Sequence, residues 1–140
     1  MGNYYENMKD ALPDLKRVKK VKKELISKGV KYIYSNWIDF LGSPKTKPMP
    51  ISDFEDLCAG KGPQFAVHSV SFVPELTPAD NDQIPIPDLD SLVICPWDKT
   101  CAWVFSDLYW NGKPYDVCPR LTLKKQIKKS AKSDLKFYVG

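Results

Sequence analysis

The stretch Gly29-Val30-Lys31-Tyr32-Ile33-Tyr34-Ser35-Asn36-Trp37-Ile38-Asp39-Phe40-Leu41-Gly42 decides the fold. Val30 to Ile38 is dense in β-branched and aromatic residues, which suit a pleated, half-buried surface, so it predicts a strand. Asp39 to Pro44 reads as a connection. Upstream, Leu15, Val18, Val21, Leu25 and Ile26 recur at helical spacing, with Asp14 as N-cap and Gly29 as the stop. Lys16, Arg17, Lys19, Lys20, Lys22 and Lys23 fill most other positions and give this helix a basic outer face. Downstream, Lys45 to Ile51 carries Pro48 and Pro50. Proline cannot donate to a ladder, so this segment predicts an edge strand.

The remaining chain extends the pattern. Ser52 and Glu55 make a capping box that opens a short helix through Cys58, ended by Gly60-Lys61-Gly62-Pro63. Gln64 to Ser71 reads as a short strand. Pro74 to Pro87 reads as a long, proline-rich, acidic loop, and loops of that length are functional or disordered. Ser91 to Cys95 and Cys101 to Trp110 predict strands joined by a short turn, and Asn111-Gly112 predicts a further turn. Leu123, Ile127 and Ala131 share one face of a last helix with lysines elsewhere, and a final strand is expected from Leu135. Residues 1–14 show no periodicity and are expected to form a flexible N-terminal segment, leaving 15–140 as one domain. This order predicts an α+β fold, a small mixed sheet packed by helices.

The totals narrow the function classes. No apolar run approaches the ~20 residues of a membrane span. The start, Met1-Gly2-Asn3-Tyr4-Tyr5-Glu6, has no charged and apolar leader, and Glu6 stands where myristoylation wants Ser or Thr, so the expected location is the cytosol. Cys58, Cys95, Cys101 and Cys118 contain no Cys-x-x-Cys pair, and His68 is the single histidine, which weighs against zinc. Free buried thiols are the reading, although Cys95 and Cys101 could face each other across a hairpin. Asp80, Asp82, Asp88 and Asp90 could hold a hard cation or cap turns. Trp37, Trp97, Trp103 and Trp110 could stack on a base or pack in a core or a subunit interface. The two lysine-rich helices could neutralise phosphates, but the net charge is only +4 and no nucleic-acid motif is present. A stand-alone interaction module using the sheet edge is a further reading.

Several marks, in order, resemble one family. Gly29-Val30-Lys31-Tyr32 leading to Trp37-Ile38-Asp39-Phe40-Leu41-Gly42 is similar to a strand that ends in an aspartate and a glycine turn. Pro50-Ile51 precedes a short helix. Phe65-Ala66-Val67-His68-Ser69 sits where the family has a phenylalanine-led active-site loop. Leu76-Thr77-Pro78-Ala79-Asp80, Pro87-Asp88, Pro96-Trp97, Ala102-Trp103-Val104 and Pro119-Arg120 follow. Together they resemble the N-terminal, β-grasp domain of glutamine synthetase, in particular the type III glutamate–ammonia ligase and γ-glutamylmethylamide synthetase branch.

The resemblance implies an oligomeric ring in which ATP activates glutamate as γ-glutamyl phosphate and ammonia or a small amine then attacks. Mg²⁺ or Mn²⁺ would neutralise phosphate charge. It implies that the catalytic domain and the metal ligands, beginning with a Glu-x-Glu motif, lie beyond Gly140, so this fragment alone is expected to be inactive and to bind neither ATP nor metal. The candidate active-site loop is Phe65, Ala66, His68 and Ser69, offered to a neighbouring identical subunit. Ammonia-using members usually carry an aspartate at the Ala66 position, where a carboxylate attracts ammonium and takes its proton. Alanine leaves room for an alkylamine such as methylamine, and the type III branch shows the same lack. Cys118 stands where an aspartate is usual. His68 could touch substrate or be a hydrogen-bonded structural histidine.

Overall fold

The computed structural model describes residues 6–68, 76–136 and 138. Helix α1 (Leu15–Ser27) leads to strands β1 (Tyr32–Ile38) and β2 (Pro44–Pro50), then to the short helix α2 (Phe54–Cys58). Strands β3 (Ile84–Pro87), β4 (Val93–Ile94), β5 (Cys101–Trp110) and β6 (Lys113–Pro114) follow, and helix α3 (Pro119–Ala131) comes last. The result is an α+β fold with a six-stranded mixed sheet in the order β2-β1-β5-β3, as the element pattern predicts.

Local chemistry accounts for the first half. The Asp14 carboxylate accepts from the Arg17 amide at 2.9 Å and caps α1. Gly29, at φ +84°, takes the left-handed position that ends it. Asp39 then closes the β1–β2 turn, accepting from the amides of Ser43 at 2.7 Å and Leu41 at 3.0 Å. β2 lies at the sheet edge, where Pro48 and Pro50 cost no ladder bond.

β5 is the spine. It runs parallel to β1, with Tyr32 opposite Cys101 and Asn36 opposite Phe105. It runs antiparallel to β3, β4 and β6. Ala102, Val104, Ser106 and Leu108 are buried at every second position. Val18 and Leu25 of α1 and Phe54 and Leu57 of α2 join Ile33, Ala102 and Val104 in the main core. After β5, Asn111 (φ 51°) and Gly112 (φ 75°) make the tight turn to β6, as the dipeptide predicts.

Five local expectations need correction. Ile84–Pro87, read as part of a loop, is a buried strand; β3 is an edge, so Pro85 and Pro87 can sit there. The Ser52/Glu55 capping box does not form. Ser52 donates to Asp53 instead, Glu55 pairs with Lys22 at 3.1 Å, and a 3-10 turn (Ile51–Asp53) opens the helix. Glu6–Ala11, expected to fray, forms a 3-10 helix whose Met8 is buried with Ile84 and Ile86. Phe65 makes only a single bridge, to Gln83, where a strand over Gln64 to Ser71 was expected; residues 69–71 lie outside the described residues. Leu135 and Lys136 are not in a strand. Phe54 is fully buried in the main core. Phe54→Ala is expected to cost about 3–5 kcal/mol, read as a lower midpoint in urea denaturation.

Candidate functional site

The candidate loop has a fixed root. Phe65 stacks on Trp37 of β1, with ring centroids 4.1 Å apart and planes within 4°. Its backbone bonds reciprocally with Gln83, which donates to the Phe65 carbonyl at 2.8 Å and accepts from its amide at 3.3 Å. Lys47 of β2 donates through Nζ to the Gln64 carbonyl and sits 6.0 Å from the Phe65 ring centroid. Val67 is buried with Trp37, Phe65, Leu108, Tyr115 and Cys118. The segment is therefore held by β1, by β2 and by the residue that precedes β3.

This geometry divides the candidates. Phe65 is a core plug whose ring is taken up by Trp37. Ala66 and His68 are half-buried on either side of buried Val67. Ser69 lies outside the described residues. The Ala66 methyl carries no polar atom, so that position supplies neither charge nor proton acceptor.

A second cluster was not visible from sequence. Arg120 donates to Asp88 at 2.8 Å and to Asp107 at 3.1 Å, while Lys124 reaches Asp88 at 2.8 Å and Asp107 at 2.6 Å. The Arg120 guanidinium also lies 5.4 Å from the Phe105 ring centroid. These groups tie the first turns of α3 to β5 and to the end of β3. The available signal was weak: Arg120 and Lys124 are one helical turn apart, and Phe105 and Asp107 share a strand face. Lys124 read as one more solvated lysine. Of the apolar side chains on α3, Leu121 packs against the cluster of Trp37, Phe65 and Val67, whereas Leu123 is 53% and Ile127 44% exposed.

Aspartates also serve turns, Asp88 among them. Asp80 accepts from the Thr77 amide at 2.7 Å, and Asp88 accepts from the Asp90 amide at 3.2 Å. Asp90 pairs with Arg17 at 2.5 Å. Among the described residues, no group of three or more His, Cys, Asp or Glu side chains is arranged to hold a metal ion. All four cysteines are buried and unpaired by disulfide. Burial, helped by Glu55, pushes the Cys58 thiol up to about 12. No helix among the described residues is long and apolar enough to cross a membrane.

The chain is 34% identical over 113 residues to a glutamine synthetase of Rhizobium meliloti (strain 1021), covering 81% of this chain and 25% of that protein. It is 30% identical over 113 residues to a glutamate–methylamine ligase of Methyloversatilis universalis, covering 79% of this chain and 25% of that one. A solved GmaS/ADP complex superposes with a TM-score of 0.72 at 28% identity, covering 81% of this chain and 26% of that structure. This chain belongs to the glutamine synthetase family, as a counterpart of its N-terminal domain. No protein-family model matches it. The chain spans about a quarter of the length of the curated relatives it matches. The mixed sheet with its helices matches the N-terminal fold of glutamine synthetase.

The charge cluster makes a pH prediction. Burial alone would raise the Asp88 carboxyl, but Lys124, the Asp90 amide and Arg120 outweigh it and hold the group below the usual carboxylate range. Burial alone would lower the Lys124 ammonium, but Asp107 and Asp88 outweigh it and raise the group above its usual value. The Asp88 contribution is present above the ordinary aspartate pKa of about 3.9 and is lost as pH falls through the lower folded value. The Lys124 contribution is present below about 10.4 and is lost as pH rises through the higher folded value. Urea midpoints are therefore expected to hold level at neutral pH and fall at both extremes. Asp39, Asp98 and Asp116 are also held below the usual carboxylate range, so Asp88→Asn should flatten part of the acid limb; an unchanged limb would show that Asp88 adds nothing to stability.

Proposed function

We propose that this chain is the N-terminal domain of an ATP-dependent glutamate–ammonia ligase and that it supplies the Phe65–Ser69 loop to the active site of an adjacent identical subunit. The observation that carries this reading is the root of the loop: Phe65 is fixed on Trp37 and Gln83, so the residues that follow leave the sheet from a defined point. Preorganised positioning of this kind is what amide formation from an activated acid needs from a non-reacting domain. His68 is the side chain in the described part of the loop that can donate, accept or carry charge. Binding and orienting the amine is its proposed role.

The nucleotide and the divalent metal are assigned to the remaining three quarters of the enzyme. ATP would supply the phosphoryl group that activates the glutamate γ-carboxylate, and Mg²⁺ or Mn²⁺ would neutralise its charge. Among the described residues no group of three or more His, Cys, Asp or Glu side chains could hold a metal ion, and the two carboxylates that come together, Asp88 and Asp107, face Arg120 and Lys124. The chain by itself is expected to release no phosphate from ATP with glutamate and ammonium. The proposed compartment is the cytosol.

A second reading, a glutamate–alkylamine ligase, is favoured by Ala66. An uncharged methyl group makes room for the carbon of methylamine and offers ammonium no counter-charge.

A chimera tests the reading. This chain replaces the matching quarter of the Rhizobium meliloti relative. Activity with ATP, glutamate and either ammonium or methylamine is expected, whereas an assembled chimera inactive with both amines would contradict the proposal. Within an active chimera, Ala66→Asp should shift the kcat/KM ratio toward ammonium on the order of tenfold, equal to about 1.4 kcal/mol. Supply of the loop in trans has its own check. Subunits carrying Ala66→Trp and subunits with a disabled catalytic domain should each be inactive, and mixed rings of the two should regain activity.

A further inference from the structure

β4 and β5 meet in register, with Val93 opposite Trp103 and Ile94 opposite Ala102. The next rung sets Cys95 opposite Cys101, and the Cys95 amide donates to the Cys101 carbonyl at 2.9 Å. That single bond joins the two residues, since the Cys101 amide donates to the Asp98 carbonyl at 3.1 Å. Directly opposed residues of an antiparallel pair project to the same face, with Cα atoms roughly 4.5–5.5 Å apart. A disulfide needs Cα atoms roughly 4.4–6.8 Å apart, so this rung can be bridged without moving the backbone far.

Both thiols are free, and they differ in access: Cys95 is 1% exposed and Cys101 8%. Cys101 Sγ donates to Asp98 Oδ2 at 3.2 Å, and Thr100 Oγ1 lies 3.8 Å from the same sulfur. Burial pushes the Cys95 thiol up, and the neighbouring Cys101 and Asp98 act in the same direction. Cys101 also leads the groups that raise the Tyr34 phenol, followed by burial, with Asp98 and Cys95 adding to it.

We propose that Cys95 and Cys101 form a reversible redox site that a low-molecular-weight disulfide of the glutathione class closes into an intramolecular disulfide. Cys101, the more exposed, gives its proton to solvent, and its thiolate attacks one sulfur of RSSR. A Cys101–SR mixed disulfide forms and one RS⁻ leaves. Cys95 then loses its proton, attacks the Cys101 sulfur and expels the second RS⁻. Both RS⁻ take up the released protons. Two protein thiols are oxidised and one RSSR is reduced to two RSH. The reduced state keeps the Cys101–Asp98 hydrogen bond, and the oxidised state staples the turn from Pro96 to Thr100. That turn carries Trp97, 69% exposed and edge-on to Trp103 at 5.1 Å, so oxidation fixes an exposed aromatic pair in place. The site lies at the Tyr32 end of β1, away from Trp37 and Phe65, and does not depend on the proposed role of the loop.

The test equilibrates the native chain with graded ratios of reduced and oxidised glutathione, quenches with acid and alkylates the free thiols. Lys99 lies between the two cysteines, so non-reducing trypsin digestion separates them unless a disulfide joins the peptides. The expected product is a Cys95–Cys101 linked pair, two hydrogens lighter than the sum of its peptides. It should grow with oxidised glutathione and vanish on reduction, with fragmentation showing Cys58 and Cys118 still alkylated. Cys101→Ser should abolish it, and Cys95→Ser should stop at the Cys101–glutathione adduct. Cys95 and Cys101 remaining alkylatable at the most oxidising ratio in a chain that circular dichroism shows folded would overturn the proposal. So would a glutathione adduct that persists on wild-type Cys101, or linkage to Cys58 or Cys118. If either variant fails to fold, the wild-type peptide readout decides alone.

Discussion

The parallel pairing of β1 with β5 is the constraint on which the rest depends. Two parallel strands cannot be joined by a tight turn, so the chain between them must cross over and return. Here that crossover carries α2 and the candidate loop together with β2, which pairs with β1, and β3 and β4, which pair with β5. The pairing is reinforced where polar groups are buried. The Ser35 and Ser106 hydroxyls are 3.0 Å apart, and Asn36 Nδ2 donates to the carbonyls of Tyr34 at 2.8 Å and Val104 at 3.3 Å. These groups are costly to bury unpaired, so their partnership favours this register over a slipped one.

What could be read from sequence was what local chemistry decides. The caps of α1, the aromatic and β-branched run of β1, the proline-marked edge of β2, the β5 spine and the Asn111-Gly112 turn depend on residues close in sequence. β3 was missed because Pro85 and Pro87 argue against a strand unless its edge position is known, and that position depends on pairing with β5. Met8 was missed because one apolar anchor in a 3-10 turn makes no period. Glu55 went to Lys22 of α1, a tertiary partner that no capping pattern contains. At the candidate site, the resemblance marked the Phe65 segment. The use of Phe65 as a plug on Trp37 emerges only when β1 is laid beside it.

The charge cluster shows the same division. Each of Asp88, Asp107, Arg120 and Lys124 looks ordinary in the sequence. Brought together, they supply a directional hold on α3, whose apolar side chains remain largely exposed. Charge-assisted, partly buried contacts of this kind fix orientation more than they add net stability. The first turns of α3 are therefore set relative to β5 and to the buried cluster that contains Phe65, Tyr115 and Cys118. The chain matches about a quarter of the length of its curated relatives, and a domain that fixes both a loop root and a helix orientation can position groups without reacting itself.

The root of the candidate loop is as fixed as the sheet itself, and native-state amide exchange measures this. The Phe65 and Gln83 amides, bonded to each other's carbonyls beside the Trp37 stack, are expected to exchange at rates close to those of β5 amides such as Val104. Phe65 and Gln83 amides that exchange as freely as solvated turn amides, while β5 stays protected, would contradict it.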